Sequence, residues 1–160
     1  VTAEHSQPMR AEHTKCAFGF LEKHALLPHE AVDPARLAQL RESLGRDGIL
    51  YEPVIVDRES MVILDGHHRV RVLRGMGCQL IPAYLMDYSD SSIRVYSRRP
   101  GITVDKSKVI ERGTNSRPFP ARTSRHVFAT PLEPRPTRIG KLKESWTDYP
   151  GNASCTSSLT

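Results

Sequence analysis

The stretch VILDGHHRVRVLRGMG, residues 62–77, decides how this chain is read. Val62, Ile63 and Leu64 form an apolar run of the kind that fills a buried strand, and Asp65-Gly66 ends it. A helical spacing follows, with Val70, Leu73 and Met76 as the buried stripe and Gly77 as the stop. Between strand and helix stand two histidines and an arginine, His67, His68 and Arg69. The first turn of a helix carries unpaired N–H groups and the positive end of the dipole, so it attracts an anion. Gly66 lets the backbone turn sharply and approach a ligand closely. His67, His68 and Arg69 add side-chain donors, and the arginine fork suits phosphate oxygens. Asp65 at the strand end has three roles open to it: orienting a histidine, binding Mg²⁺, or positioning a hydroxyl. It also has a structural one, capping the helix.

Outward from this stretch the elements fall into place. EPVIVD (52–57) pairs with 62–66 as a second strand, with a tight turn around Asp57-Arg58-Glu59-Ser60. DPARLAQLRESLGRDG (33–48) is the clearest helix, with Asp33 as N-cap, Pro34 at its first position, Leu37, Leu40 and Leu44 on one face, and an end near Asp47-Gly48. In its second helix Arg71 and Arg74 read as the solvated face. QLIPAYLMDY (79–88) reads as a strand, with Tyr51, Tyr84 and Tyr88 as ordinary strand residues. VDKSKVIERG (104–113) reads as a short helix, and RPFPARTSRHVF (117–128) as a loop turning into a strand. CAFGFLEKHALLPHE (16–30) holds one short strand and then a turn at Pro28, with His29 facing solvent or packing beside its neighbours. Prolines 131, 134 and 136 break structure after that. The fold class is α/β (α+β), a compact domain with a small mixed sheet flanked by helices. Residues 16–143 make the domain, 1–15 a flexible leader and 144–160 a disordered tail.

At 160 residues, 38% of them hydrophobic, the chain can bury one core. No run approaches the length that crosses a bilayer, and the polar N-terminus has no secretory apolar core. Val1 stands where an initiator Met would, so the chain is a fragment or has an alternative start, Met9 being a candidate. The three cysteines, Cys16, Cys78 and Cys155, have neither metal nor disulfide spacing and fit reduced thiols in a cytoplasmic protein. Asn152-Ala-Ser matches a glycosylation sequon by chance spacing. The net charge of +5 is uneven, because between Arg94 and Lys143 the only acids are Asp105, Glu111 and Glu133. That asymmetry points to an anionic partner, either nucleotide phosphate or nucleic acid.

Three separated stretches, LLPHE (26–30), ILDGHHR (63–69) and RTSRH (122–126), carry a family resemblance. Together with the helix and strands between them they resemble the ParB/sulfiredoxin superfamily, and within it the free L-serine kinases and their ParB-like relatives, over roughly residues 17–142. The resemblance implies transfer of the terminal phosphoryl group of ATP or ADP to the hydroxyl of free L-serine, giving O-phospho-L-serine. It makes Glu30 the base that takes the serine proton, and it gives Asp65 a supporting catalytic role through Mg²⁺. Gly66, His67, His68 and Arg69 would hold the nucleotide phosphates. Thr123, Ser124, Arg125 and His126 would contact serine or its phosphorylated product, with Arg125 suited to the amino-acid carboxylate. The chain departs from the family pattern in having no Trp between Tyr88 and Arg117, and in carrying Arg122 and Ser124 where Lys and Thr are common.

Three other readings compete. A ParB-like nucleotide- and DNA-binding protein suits the basic charge. However, ParB proteins that bind CTP typically carry Gly-Glu-Arg-Arg where this chain has Gly66-His67-His68-Arg69, and no second helix-turn-helix module follows residue 90. Sulfiredoxin needs a cysteine between the glycine and His-Arg, and His67 stands there. A non-catalytic sensor on the same fold is the third.

Overall fold

The computed structural model describes residues 16–144. The expected leader, the tail beyond Glu144, the sequon and Cys155 lie outside the described residues. A four-stranded mixed sheet, in the order β1-β5-β3-β4, carries the architecture. Its strands are β1 (Ala17–Glu22), β3 (Val54–Asp57), β4 (Ile63–Asp65) and β5 (Leu80–Met86). β1 and β4 run antiparallel to their neighbours, and β3 and β5 are parallel, with Val54 opposite Ala83 and Asp57 opposite Met86. The mixed α/β fold read from the sequence is therefore the fold observed.

Residue alternation sorts the core to two sides of this sheet. Val54, Val56 and Ile63 pack with Val70, Val72 and Leu73 of α2 (His67–Gly75) and with Leu44 of α1 (Pro34–Asp47). Ile55, Val62 and Leu64 face the other way, toward Ile93 of β6 (Ile93–Ser97) and Val109 of α3 (Lys106–Thr114). Both helix starts follow sequence rules. The Asp33 carboxylate accepts the Ala35 N–H at 3.0 Å, and the Asp105 carboxylate accepts the Lys108 N–H at 2.8 Å. Gly48 ends α1 in the left-handed conformation, φ +67°. The turn after β3 is held by Asp57, which accepts the N–H and hydroxyl of Ser60 at 3.0 and 2.6 Å.

Several expectations need correction. In α2 the expected Val70 and Leu73 are buried together with Val72, which was not foreseen, and Met76, one residue past the helix end, is half-buried against the same core. Arg74 is not on a solvated face, since its guanidinium donates to the carbonyls of Lys23 and Leu26 and ties α2 to a 3₁₀ turn at Lys23–Ala25. Tyr51 and Tyr88 lie outside the strands. Four elements were not foreseen. β6 pairs antiparallel with β7 (Ser124–Phe128), Ser97 opposite Ser124. Past the three prolines the chain returns, where β8 (Thr137–Arg138) pairs with β2 (Ile49–Leu50) and α4 (Ile139–Leu142) buries Ile139 and Leu142.

Candidate active site

The three motifs meet because of one extended segment. Leu27 lies beside Val62 in a parallel bridge, its N–H donating to Met61 and its carbonyl accepting from Ile63. Three residues on, Glu30 bridges Phe119, with the Phe119 N–H on the His29 carbonyl and the Ala31 N–H on the Phe119 carbonyl. Residues 27–31 are thus stitched to the strand that leads into α2 and to the loop that leads into β7. The result is a cleft of about 640 Å³ lined by Glu30, the Asp65–Arg69 turn and residues 124–126.

At the cleft floor the Glu30 carboxylate is only 11% exposed. Its Oε1 accepts the Thr123 N–H at 3.1 Å, and its Oε2 accepts the Ser124 N–H at 3.1 Å and the Ser124 hydroxyl at 2.5 Å. A carboxylate offers about four lone-pair directions, so three bonds fix its orientation and leave it room for another donor.

The start of α2 forms the facing wall. Gly66 caps the helix with φ +105° and no side chain bonds the first-turn amides, so Asp65 is not a helix cap and those N–H groups remain open to an anion. A Cβ at Gly66 would lie 2.7 Å from Val54 Cγ1, so only glycine fits this turn. Asp65 is exposed and pairs with Arg69 at 3.3 Å. Arg69 braces the turn as well, donating to the carbonyls of Glu52 and Pro53 at 2.8 and 2.9 Å.

Four histidines gather here, and backbone and side-chain bonds set their protons. His67 Nε2 accepts the His29 N–H at 3.2 Å, and His68 Nε2 accepts the Asp33 N–H at 2.9 Å. An imidazole that accepts at Nε2 is neutral and keeps its hydrogen on Nδ1. Burial pushes His67 well below its ordinary range, and the neighbouring His29, His126 and His68 add to that. His68 is lowered mainly by burial and then by Arg36. His126 Nε2 lies 2.7 Å from the Tyr88 hydroxyl. Burial, with His29 and Lys106 nearby, lowers His126 to about 3, while burial raises the Tyr88 phenol, so the phenol keeps its proton and donates. His29, fully buried, is lowered by burial, partly offset by its bond to the Ile63 carbonyl.

Of the residues read from sequence, Glu30, Asp65, Gly66, His67, His68, Arg69, Ser124, Arg125 and His126 all line the cleft. Thr123 does not. Its side chain is fully buried and donates to the Pro120 carbonyl at 2.6 Å, so what it offers the site is its backbone N–H to Glu30. Sequence reasoning gave no site role to Tyr88 or to His29, for which the packing alternative, not the solvent-facing one, is the one found. It also missed Arg36 and Arg98, exposed cations on the cleft wall, and gave Arg122 no site role, although it lines the wall and pairs with Asp33 at 3.3 Å. The neighbouring His29-Glu30 pair was the one signal available for His29. Among the described residues no three His, Cys, Asp or Glu side chains gather as a metal site. No described helix is long and apolar enough to cross a membrane.

No protein-family model matches the chain. It is 32% identical over 90 residues to an ATP-dependent L-serine kinase of Staphylothermus marinus, covering 54% of this chain and 36% of that protein. An ADP-dependent L-serine kinase of Thermococcus kodakarensis is 29% identical over 61% of this chain and 42% of its own length. A ParB-like protein of Sulfolobus acidocaldarius is 39% identical over 51% of this chain and 41% of its own. The chain therefore spans about two fifths of the length of these relatives. Among solved structures, a free serine kinase in complex with AMP superposes with a TM-score of 0.71 at 16% identity, over 78% of this chain and 93% of that one. Staphylococcus aureus SbnI with a C-terminal truncation gives 0.66 at 11% identity, over 79% and 89%. The resemblance read from the three motifs is borne out: the fold is that of the free serine kinases, and the sequence is similar to L-serine kinases and to a ParB-like protein.

Proposed function

We propose that this chain, with the fold of the free serine kinases, is a phosphotransferase that moves the terminal phosphoryl group of ATP or ADP to the hydroxyl of free L-serine. The observation that carries the reading is the placement of one oriented carboxylate, Glu30, in the same cleft as an uncapped helix N-terminus and several arginines. Phosphoryl transfer asks for little else from a protein: positive charge along the phosphates and a group that orients the attacking hydroxyl.

In this mechanism the first-turn amides of α2 and the imidazole N–H groups of His67 and His68 receive the phosphates. Arg69 keeps that turn in shape through its bonds to Glu52 and Pro53. The acceptor lies toward Arg125 and His126, with the Arg125 guanidinium on its carboxylate. Glu30 accepts the hydroxyl proton as the serine oxygen bonds to the terminal phosphorus. The bond from that phosphorus to the departing nucleotide breaks, giving ADP from ATP or AMP from ADP. Asp65, an exposed carboxylate at the cleft mouth, fits the one-carboxylate share that Mg²⁺ takes when it arrives with a nucleotide. Bound there, the ion would draw charge from the phosphate oxygens.

Support for the donor and acceptor comes from relatives named as ATP- and ADP-dependent L-serine kinases. The test is mass spectrometry for O-phospho-L-serine after incubation with L-serine, Mg²⁺ and either ATP or ADP. Phosphoserine in one arm supports the reading and names the donor. Nucleotide binding without phosphoserine in either arm overturns it. A second reading, a ParB-like nucleotide- and DNA-binding protein, is favoured by the ParB-like relative and by exposed Arg36, Arg98 and Arg125. It predicts salt-dependent DNA binding with no phosphoserine.

A further inference from the structure

We infer that Ser124 and His29 form a proton relay behind Glu30, built to accommodate the one proton that phosphoryl transfer releases. The inference rests on the phosphotransferase reading, and its physical basis is a proton count. The Ser124 Oγ sits between two partners, Glu30 Oε2 at 2.5 Å and His29 Nε2 at 2.9 Å. On the far side of the imidazole, His29 Nδ1 lies 2.6 Å from the Ile63 carbonyl oxygen. A carbonyl only accepts, so the hydrogen of that contact belongs to Nδ1. With His29 neutral, Nε2 is then an acceptor.

The hydroxyl has a single hydrogen and faces two acceptors while Glu30 is ionised. One of its two close contacts is therefore left without a proton. Adding one proton completes the chain in either of two ways. With the proton on Glu30, Oε2–H donates to Oγ, Oγ–H donates to Nε2, and Nδ1–H donates to the Ile63 carbonyl. With the hydrogens shifted one place, His29 becomes an imidazolium, Nε2–H donates to Oγ and Oγ–H donates to a carboxylate Oε2, an ion pair across the Ser124 hydroxyl that burial disfavours until the transferred proton arrives. Both arrangements pair every group, and interconversion moves two hydrogens over short bonds without moving a heavy atom.

The setting suits such a device. His29 is fully buried, and the Ser124 hydroxyl is the group within hydrogen-bond reach of its Nε2. The titratable groups facing its ring are Glu30, with Oε2 3.9 Å from Nε2, and the imidazoles of His67 and His126, with ring centroids 4.5 and 5.6 Å away. The backbone N–H groups of Thr123 and Ser124 hold the carboxylate in line. Ser124 and His29 are thus positioning residues that act through Glu30, and the Ser124 hydroxyl is committed to them rather than to substrate.

The test combines histidine nitrogen NMR with steady-state kinetics on the full chain, its Ser124→Ala variant and its Ser124→Thr variant. In Ser124→Ala the His29 Nε2 resonance moves toward that of an unbonded acceptor, kcat falls by about tenfold or more, and KM for both substrates stays within about twofold. Ser124→Thr keeps the hydroxyl and restores both the resonance and kcat to near the wild-type values. An unchanged His29 resonance in Ser124→Ala overturns the relay. So does an equal loss in the Ala and Thr variants, or a change confined to KM. A wild-type chain with no turnover counts against the phosphotransferase reading instead, and the resonance alone then decides the hydrogen-bonded chain.

Discussion

Glu30 is held by three hydrogen bonds from residues more than ninety positions away in sequence, a strong constraint on a single side chain. Replacing it with glutamine keeps the shape and removes the base. Turnover should fall by about 10² to 10⁴ while nucleotide affinity stays within a few-fold, as read by single-turnover kinetics beside calorimetric binding. A parallel loss of nucleotide affinity would place Glu30 among the phosphate contacts. At this scale the sequence was legible where chemistry sits in a motif: LLPHE, DGHHR and RTSRH all reach the cleft. It was not legible where a role depends on an unseen neighbour. Arg69 has the residue type of a phosphate ligand yet gives its Nη1 donors to the Glu52 and Pro53 carbonyls and an Nη2 donor to Asp65. Thr123 turns its hydroxyl to Pro120, and His29 is buried by contacts with Ile63, His67 and Ser124 that no local pattern announces.

Among the elements, α2 matters most because its first turn is the candidate anion site. Gly66→Ala puts a side chain at φ +105° and against Val54, so unfolding free energy should drop by roughly 1–3 kcal/mol, measured by urea denaturation. The displaced turn should also weaken nucleotide binding. Full stability and affinity in this variant would show that the turn is not held as described. α1 and α2 and the strands of the main sheet could be read because each carries its own period and punctuation. β6 could not, since three of the five residues of Ile93–Ser97 are exposed and its partner β7 begins 27 residues after it ends. The two-residue strands β2 and β8 exist only through each other, with Ile49 opposite Arg138. Long-range pairing of this kind leaves no local signature.

For the whole molecule, the histidine cluster ties stability to pH. His29, His67 and His126 are all held below the ordinary imidazole value, chiefly by burial. The unfolded chain takes up these protons near pH 6.5, while the folded chain refuses them, His126 down to about 3. Stability is therefore full above about pH 6.5 and is lost as pH falls toward 3, by at most about 1.4 kcal/mol per pH unit for each histidine that stays neutral. The urea midpoint should drop clearly between pH 7.5 and 5.5 and be flat from 7.5 to 8.5. A midpoint unchanged down to pH 5 would contradict the neutral cluster.

The most direct test of the central claim is a phosphorus NMR time course with Mg²⁺, L-serine and the nucleotide, run on the wild-type chain and on Glu30→Gln. A phosphomonoester resonance should grow with the wild-type chain, require serine, and be absent or slowed at least a hundredfold in Glu30→Gln. A resonance that grows equally fast in both proteins would remove Glu30 as the base, and none in either would remove the phosphotransferase itself.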